Sequence, residues 1–148
     1  MPRELYINGR RIADDEPAWV CAEIGHNHGG DIKVAQDLIR MAAHCVAAAC
    51  KFQTRENATL YSQALLNAPY VNENSYGATY GEHRAALEFD RAALATCQHA
   101  AADAKITCFS TAFDEPSADL LMELGMPAFK IHSGGLTDHH LLRHVAQF

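Results

Sequence analysis

Apolar positions along the chain switch between a period of two, short unbroken runs and a period near 3.6, and each switch marks an element. Leu5-Tyr6-Ile7 and Arg10-Arg11-Ile12 flank Asn8-Gly9. That dipeptide suits the two positive φ angles of a type I′ turn, so the chain opens on a β-hairpin. The run from Trp19 to Ile24, ended by Gly25, predicts a first buried strand. From Asp31 to Ala49 the pattern is helical: Ile32, Ala35, Leu38, Ile39 and Ala42 recur at three and four, with Asp31 as N-cap. Ala49 to Gln53 is a second strand, and a polar stretch rich in Asn, Tyr and Gly then runs from Thr54 to about Glu88. Arg91 to Asp103 is an Ala-rich helix, and Ile106 to Ser110 a third strand. A helix from Asp114 through Leu120, Leu121 and Leu124 ends at Gly125. Ala128 to Ile131 is a fourth strand, and Thr137 caps a last helix through Leu141, Leu142 and Val145.

Short apolar strands alternating with helices are the pattern of a parallel sheet with right-handed crossovers. The fold class is α/β, either an open sheet or the N-terminal half of a (β/α)8 TIM barrel behind a short β-ribbon. A complete barrel needs about 250 residues, and this chain has 148. The long polar insert is expected to be functional, because structureless loops of that length are uncommon inside compact domains. Its amides, hydroxyls and rings suit a polyhydroxylated ligand, and an Ω-loop packed on itself is the other reading.

Composition narrows the function. With 12 Lys+Arg against 18 Asp+Glu the net charge is −6, so no basic stripe is available for phosphate backbones and no nucleic-acid partner is expected. No apolar run approaches the roughly 20 residues of a membrane span. The charged N-terminal residues lack a signal-peptide stretch, so a cytoplasmic location is expected. The five cysteines are odd in number, sit in apolar settings and form no CxxC. They are expected to be buried free thiols of a reducing compartment.

In parallel α/β folds chemistry collects at the carboxyl ends of strands. Those ends carry Glu23, Gly25, His26, Asn27 and His28; then Lys51, Gln53 and Arg55; then Ser110 and Thr111; then Lys130, His132, Ser133, Gly134 and Gly135. A lysine inside a buried strand is costly unless paired. Lys51 therefore reads as a structural partner of Glu23 or as an anion binder, and Lys130 follows the same logic. Together with Ser110, Thr111, Ser133 and the free N–H groups of Gly134-Gly135 they would cradle a phosphate or carboxylate, with Glu23 beside them as base or orienting group. His26 and His28 invite a rival reading as metal ligands of a hydrolase.

Ala22-Glu23-Ile24-Gly25-His26-Asn27-His28, Lys51-Phe52-Gln53, Thr79-Tyr80-Gly81-Glu82-His83-Arg84, Ser110-Thr111-Ala112-Phe113-Asp114 and Pro127-Ala128-Phe129-Lys130-Ile131-His132-Ser133-Gly134 stand in this order. As a set they resemble the N-acetylneuraminate (sialic acid) synthase family, over nearly the whole chain. The resemblance implies a TIM barrel followed by a small antifreeze-like domain, of which residues 1–148 would be the first four strands, with homodimerisation of the full-length protein. It implies condensation of phosphoenolpyruvate with N-acetylmannosamine or a related amino sugar, with a divalent metal, manganese, as cofactor. Carried over by motif, Lys51, Thr111, Lys130 and Ser133 would bind phosphoenolpyruvate, Gln53 and Asn74 the sugar, and Glu23 would lie at the reacting carbons. The metal-binding histidines of the family come from later strands, so this chain alone is expected to be inactive. A non-catalytic sugar-acid-binding or scaffold half-barrel is the second reading, and the hydrolase using His26 and His28 the third.

The chain departs from the family pattern at four places. Gly135 stands where an acidic residue is usual, and Ala112 where proline is frequent. Val46-Ala47-Ala48-Ala49 replaces Ala-Gly-Ala-Asp, which removes a helix-ending glycine, and His132 replaces a small residue.

Overall fold

The computed structural model describes residues 3–148. The hairpin is present as β1 (Glu4–Ile7) and β2 (Arg10–Ala13), antiparallel, with Asn8 and Gly9 at φ of 50° and 77° as a type I′ turn requires. Four strands then form one parallel sheet in chain order: β3 (Cys21–Gly25), β4 (Ala49–Thr54), β5 (Thr107–Ala112) and β6 (Phe129–Ile131). The major helices that follow them are α1 (Ile32–His44) after β3, α5 (Arg91–Asp103) after β4, α6 (Glu115–Glu123) after β5 and α7 (His139–Val145) after β6. Three shorter helices, α2 (Asn57–Leu60), α3 (Gln63–Leu66) and α4 (Tyr80–Leu87), lie between β4 and α5. Sequential parallel strands with helical crossovers are the half-barrel expected from the pattern.

The alternation of side chains across β4 divides the molecule. Cys50 and Phe52 are buried against the helical layer, in one core with Ile39, Leu94, Cys97 and Leu121. Lys51 and Gln53, and Arg55 just beyond the strand, fall on the other face. Burial of such apolar side chains contributes roughly 1.5–3 kcal/mol each. Cys50, Cys97 and Cys108 are buried as expected, whereas Cys45 at the end of α1 is exposed. Burial pushes the Cys97 thiol up to about 12 and the Cys21 thiol up to about 11, which makes both poor nucleophiles.

Helix ends account for most differences from the pattern. Asp31 caps α1 through Lys33 N and Val34 N, but the helix stops at His44, five residues before the apolar periodicity does. It ends in a Schellman turn: Ala47 N–H donates to Ala42 O and Val46 N–H to Ala43 O, with Val46 at φ 61°. Helix α6 ends the same way with Gly125 in the left-handed position. Val46 thus does the work of the missing glycine, with a β-branched side chain that the left-handed region penalises. That side chain is 88% exposed and packs on nothing worth keeping. Val46→Gly is therefore expected to stabilise the chain by about 1 kcal/mol, read as a rise in the urea midpoint at unchanged m value.

The final helix is capped by Asp138 rather than Thr137. The Asp138 carboxylate accepts from His140 N and Leu141 N, and Thr137 closes a 3-10 turn, Ser133–Thr137. The insert is likewise less of a loop than its polarity suggested. Thr79 and Glu82 form a capping box at the start of α4, and Tyr61, Tyr70, Tyr80 and His83 pack ring against ring. Ser75 Oγ donates to Tyr70 O at 2.7 Å. The insert packs largely on itself.

Candidate functional site

Sheet register gathers the charged residues. Glu23 pairs with Lys51 across β3 and β4, Gln53 with Thr111 across β4 and β5, and Thr111 with Lys130 across β5 and β6. All five lie on the face away from the helices, near the carboxyl ends of the strands. Lys51 Nζ contacts the Glu23 carboxylate and donates to Thr111 Oγ1 at 3.1 Å. The lysine is 12% exposed and the glutamate 50%, so the pair is wetted from one side. Gln53 Nε2 reaches Glu23 Oε1 at 3.5 Å. Lys130 Nζ donates to Ile131 O at 2.5 Å, and Ser133 opens the 3-10 turn after β6.

Three residues singled out in the sequence fall elsewhere. Ser110 faces the helical layer, fully buried, and shares a 2.8 Å hydrogen bond with Thr54, so it takes no part in an anion cradle. The odd-even alternation of β5 that puts Thr111 in the site takes Ser110 out of it. Asn74 is exposed at the tip of the insert, where its N–H donates to Asn72 Oδ1. Among the described residues no hydrogen bond ties it to Gln53 or Lys51. The N–H of Gly135 is not free either, since it donates to His132 O at 3.0 Å.

Two departures from the family pattern prove to be one. A Cβ at residue 135 would lie 2.9 Å from Nε2 of His132. The imidazole occupies the space where an acidic side chain at 135 would begin, so His132 and Gly135 are matched. His132 in turn stacks on Phe113, centroids 4.4 Å apart, and Arg55 lies over the other partner of that stack, 3.6 Å from the Phe113 centroid.

The sequence reading missed a second cluster beside the first. Glu88, at the end of α4, accepts from Arg55 N at 3.1 Å and lies 3.0 Å from Arg84, 3.5 Å from the Arg55 guanidinium and 3.4 Å from His26. Arg55 also donates to Gln53 Oε1 at 2.5 Å, which joins the clusters. The available signal was the four-residue spacing of Arg84 and Glu88 on a helix.

His26 and His28 do not converge. Their rings are 5.8 Å apart and nearly perpendicular. His28 is 3% exposed, stacks on Phe89 at 4.0 Å and accepts from Gly30 N–H through Nδ1. Burial lowers its pKa to about 4. The folded value lies below the unfolded value near 6.5, so the unfolded chain takes up the proton first. Stability is complete above about pH 6.5 and falls as pH drops toward 4, by about 2–3 kcal/mol from this group. Urea midpoints at pH 7 and pH 4.5 should show that fall, and His28→Gln should flatten it while lowering stability at pH 7.

Among the described residues no group of three or more His, Cys, Asp or Glu converges on one point. The residues gathered at the strand ends offer anion binding and positioning. Among the described residues no helix is long and apolar enough to cross a membrane.

Residues 38–148 match the profile of the NeuB family. The chain is 37% identical over 148 residues to N-acetylneuraminate-9-phosphate synthase of Homo sapiens, covering 99% of this chain and 41% of that protein. It is 36% identical over 129 residues to N,N'-diacetyllegionaminic acid synthase of Legionella pneumophila, covering 86% of this chain and 36% of that one. Its fold is similar to the N-acetylneuraminic acid (sialic acid) synthetase of Leptospira borgpetersenii, solved in complex with citrate, with a TM-score of 0.75 at 28% identity over 99% of this chain and 47% of that one. The spore coat polysaccharide biosynthesis protein SpsE of Bacillus subtilis gives 0.77 at 28%, over 98% and 37%. The chain thus spans about two-fifths of the length of the curated relatives it matches.

Proposed function

Because the chain belongs to the NeuB family, we propose that it forms the phosphoenolpyruvate-binding half of a synthase that condenses this enol phosphate with an amino sugar. The observation that carries the reading is the row Lys51, Thr111 and Lys130 across three adjacent strands, with Glu23 against Lys51. Two ammonium groups and a hydroxyl on one face suit a ligand with a phosphate and a carboxylate. That the Leptospira relative was solved with citrate, a polycarboxylate, supports the same chemistry.

The overall reaction joins C3 of phosphoenolpyruvate to the aldehyde carbon of the open-chain sugar. Water supplies the oxygen that becomes the C2 ketone, and the C2–O bond breaks to release phosphate. The aldehyde oxygen takes up a proton. Lys51 and Lys130 offset the charge of the leaving phosphate, and Gln53 holds a sugar hydroxyl. Glu23, carboxylate against ammonium, accepts a proton or a hydrogen bond from the reacting hydroxyl. Manganese, where the complete enzyme uses it, would be held by residues outside those described.

Calorimetric titration of phosphoenolpyruvate into the chain tests the reading. Saturable binding, competed by inorganic phosphate, is expected. The chain by itself should release no phosphate from phosphoenolpyruvate with N-acetylmannosamine and Mn2+. Absence of phosphoenolpyruvate binding by the folded chain would overturn the reading.

A further inference from the structure

His132 stands one row beyond Lys130 on the charged face of the sheet. Thr54, Ala112 and Ile131 are in register across β4, β5 and β6. Arg55, Phe113 and His132 therefore form the next row, and strand alternation puts that row on the face of Gln53, Thr111 and Lys130. The contacts agree. The imidazole lies nearly flat on Phe113, with 17° between the rings, and the Arg55 guanidinium lies on the same phenyl ring. The turn after β6 is shaped to the imidazole. A Cβ at residue 134 would lie 3.2 Å from Nδ1, and one at 135 would lie 2.9 Å from Nε2. Two successive residues without side chains thus leave both ring nitrogens uncovered. Among the described residues no side chain hydrogen-bonds to either nitrogen, and the ring is held by stacking and by the turn. Burial, then Arg55 and Lys130, hold the imidazole below the ordinary histidine pKa, while Asp138 at the start of α7 acts in the other direction. The ring is therefore neutral in the free chain at neutral pH, rigid and unpaired. Neighbours on one face of a strand are about 7 Å apart, a gap that a single phosphate or carboxylate group bridges between the Lys130 ammonium and the His132 ring.

We propose that His132 is a further anion-binding residue of the phosphoenolpyruvate site, and that its imidazole takes up a proton from solvent as the anion binds. This rests on the reading of Lys51, Thr111 and Lys130 as that site. In the free chain Arg55 and Lys130 oppose a further positive charge on the ring. A polyanion seated among these groups cancels their field and offers the ring a charge-assisted hydrogen bond, so the imidazolium is favoured in the complex. By linkage, the contribution of His132 to affinity grows as pH falls through the range between its free and bound titration midpoints, and fades above that range.

The test titrates phosphoenolpyruvate calorimetrically into the wild-type chain and into His132→Asn, at pH 7, in buffers of different ionisation enthalpy. The slope of the measured heat against that enthalpy counts the protons taken up, and the ligand's own ionisation cancels in the difference between the two proteins. The wild type should take up about 0.3 proton more per site than the variant. His132→Asn should bind about fivefold more weakly at pH 6 and within about twofold of the wild type at pH 8. Equal proton uptake and equal affinities would overturn the inference and leave the broader reading standing. A loss of affinity that is the same at pH 6 and pH 8 would make His132 a neutral contact and overturn the proton uptake. No binding of phosphoenolpyruvate to the folded wild-type chain would overturn the broader reading and this inference together. A second measurement needs no variant: the NMR titration midpoint of the His132 ring should rise by at least about half a pH unit when phosphoenolpyruvate saturates the wild-type chain, and an unchanged midpoint would overturn the inference.

Discussion

Lys51→Met is expected to weaken phosphoenolpyruvate binding by roughly 10- to 150-fold. Hydrogen bonds to charged groups contribute roughly 1.5–3 kcal/mol, and each 1.4 kcal/mol is about a factor of ten in affinity. The fold should tolerate the change. Methionine replaces the apolar stem of a side chain that is already mostly buried in β4. Glu23, which loses its partner, is half exposed and can be hydrated. The loss in affinity should therefore appear with less than about 1 kcal/mol of lost stability, in keeping with a pair open to water on one side. Calorimetry alongside a urea melt separates the two quantities. Unchanged affinity would show that Lys51 is only the structural partner of Glu23.

Much of this site could be read before the fold was seen, because it lies on strands. A parallel strand carries its chemistry at its carboxyl end, and a lysine in an apolar run is visible as an anomaly in one dimension. Lys51, Gln53 and Thr111 were found in this way, and the structure puts them side by side. Ser110 was misplaced because strand alternation says which residues share a face but not which face is the pocket. Residue 110 had to be opposite to 111, and only the hydrogen bond to Thr54 settles which of them faces inward. The end of α1 was missed for a different reason. Apolar periodicity continues past His44 through a run of alanines, and the stop comes from one residue, Val46, in a conformation its side chain disfavours. A propensity argument looks for glycine there and finds none. The pairing of His132 with Gly135 is a steric fact across a turn, which looks in sequence like two unrelated departures. The Arg55, Arg84 and Glu88 cluster depends on where the insert docks, and composition carries no information about that.

That cluster also predicts the largest change in stability. Glu88→Gln keeps the shape of the side chain and one carbonyl oxygen but removes the negative charge that, among the described residues, pairs with both Arg55 and Arg84. Both arginines are then buried beside each other without a counter-ion, and the Arg55 backbone N–H keeps only a neutral acceptor in place of a carboxylate. Breaking a buried pair by removing one partner costs roughly 3–5 kcal/mol. At about 2–4 °C per kcal/mol for a chain of this size, the thermal midpoint should fall by roughly 10 °C. If excess positive charge is the cause, removing one cation must restore part of the loss. Arg84→Gln in the Glu88→Gln background should recover at least about 1 kcal/mol, a coupling that a double-mutant cycle reads directly. The same Arg84→Gln in the wild-type chain leaves a balanced Arg55–Glu88 pair and should cost little. A Glu88→Gln chain as stable as the wild type would mean that water, not Glu88, solvates the two guanidinium groups.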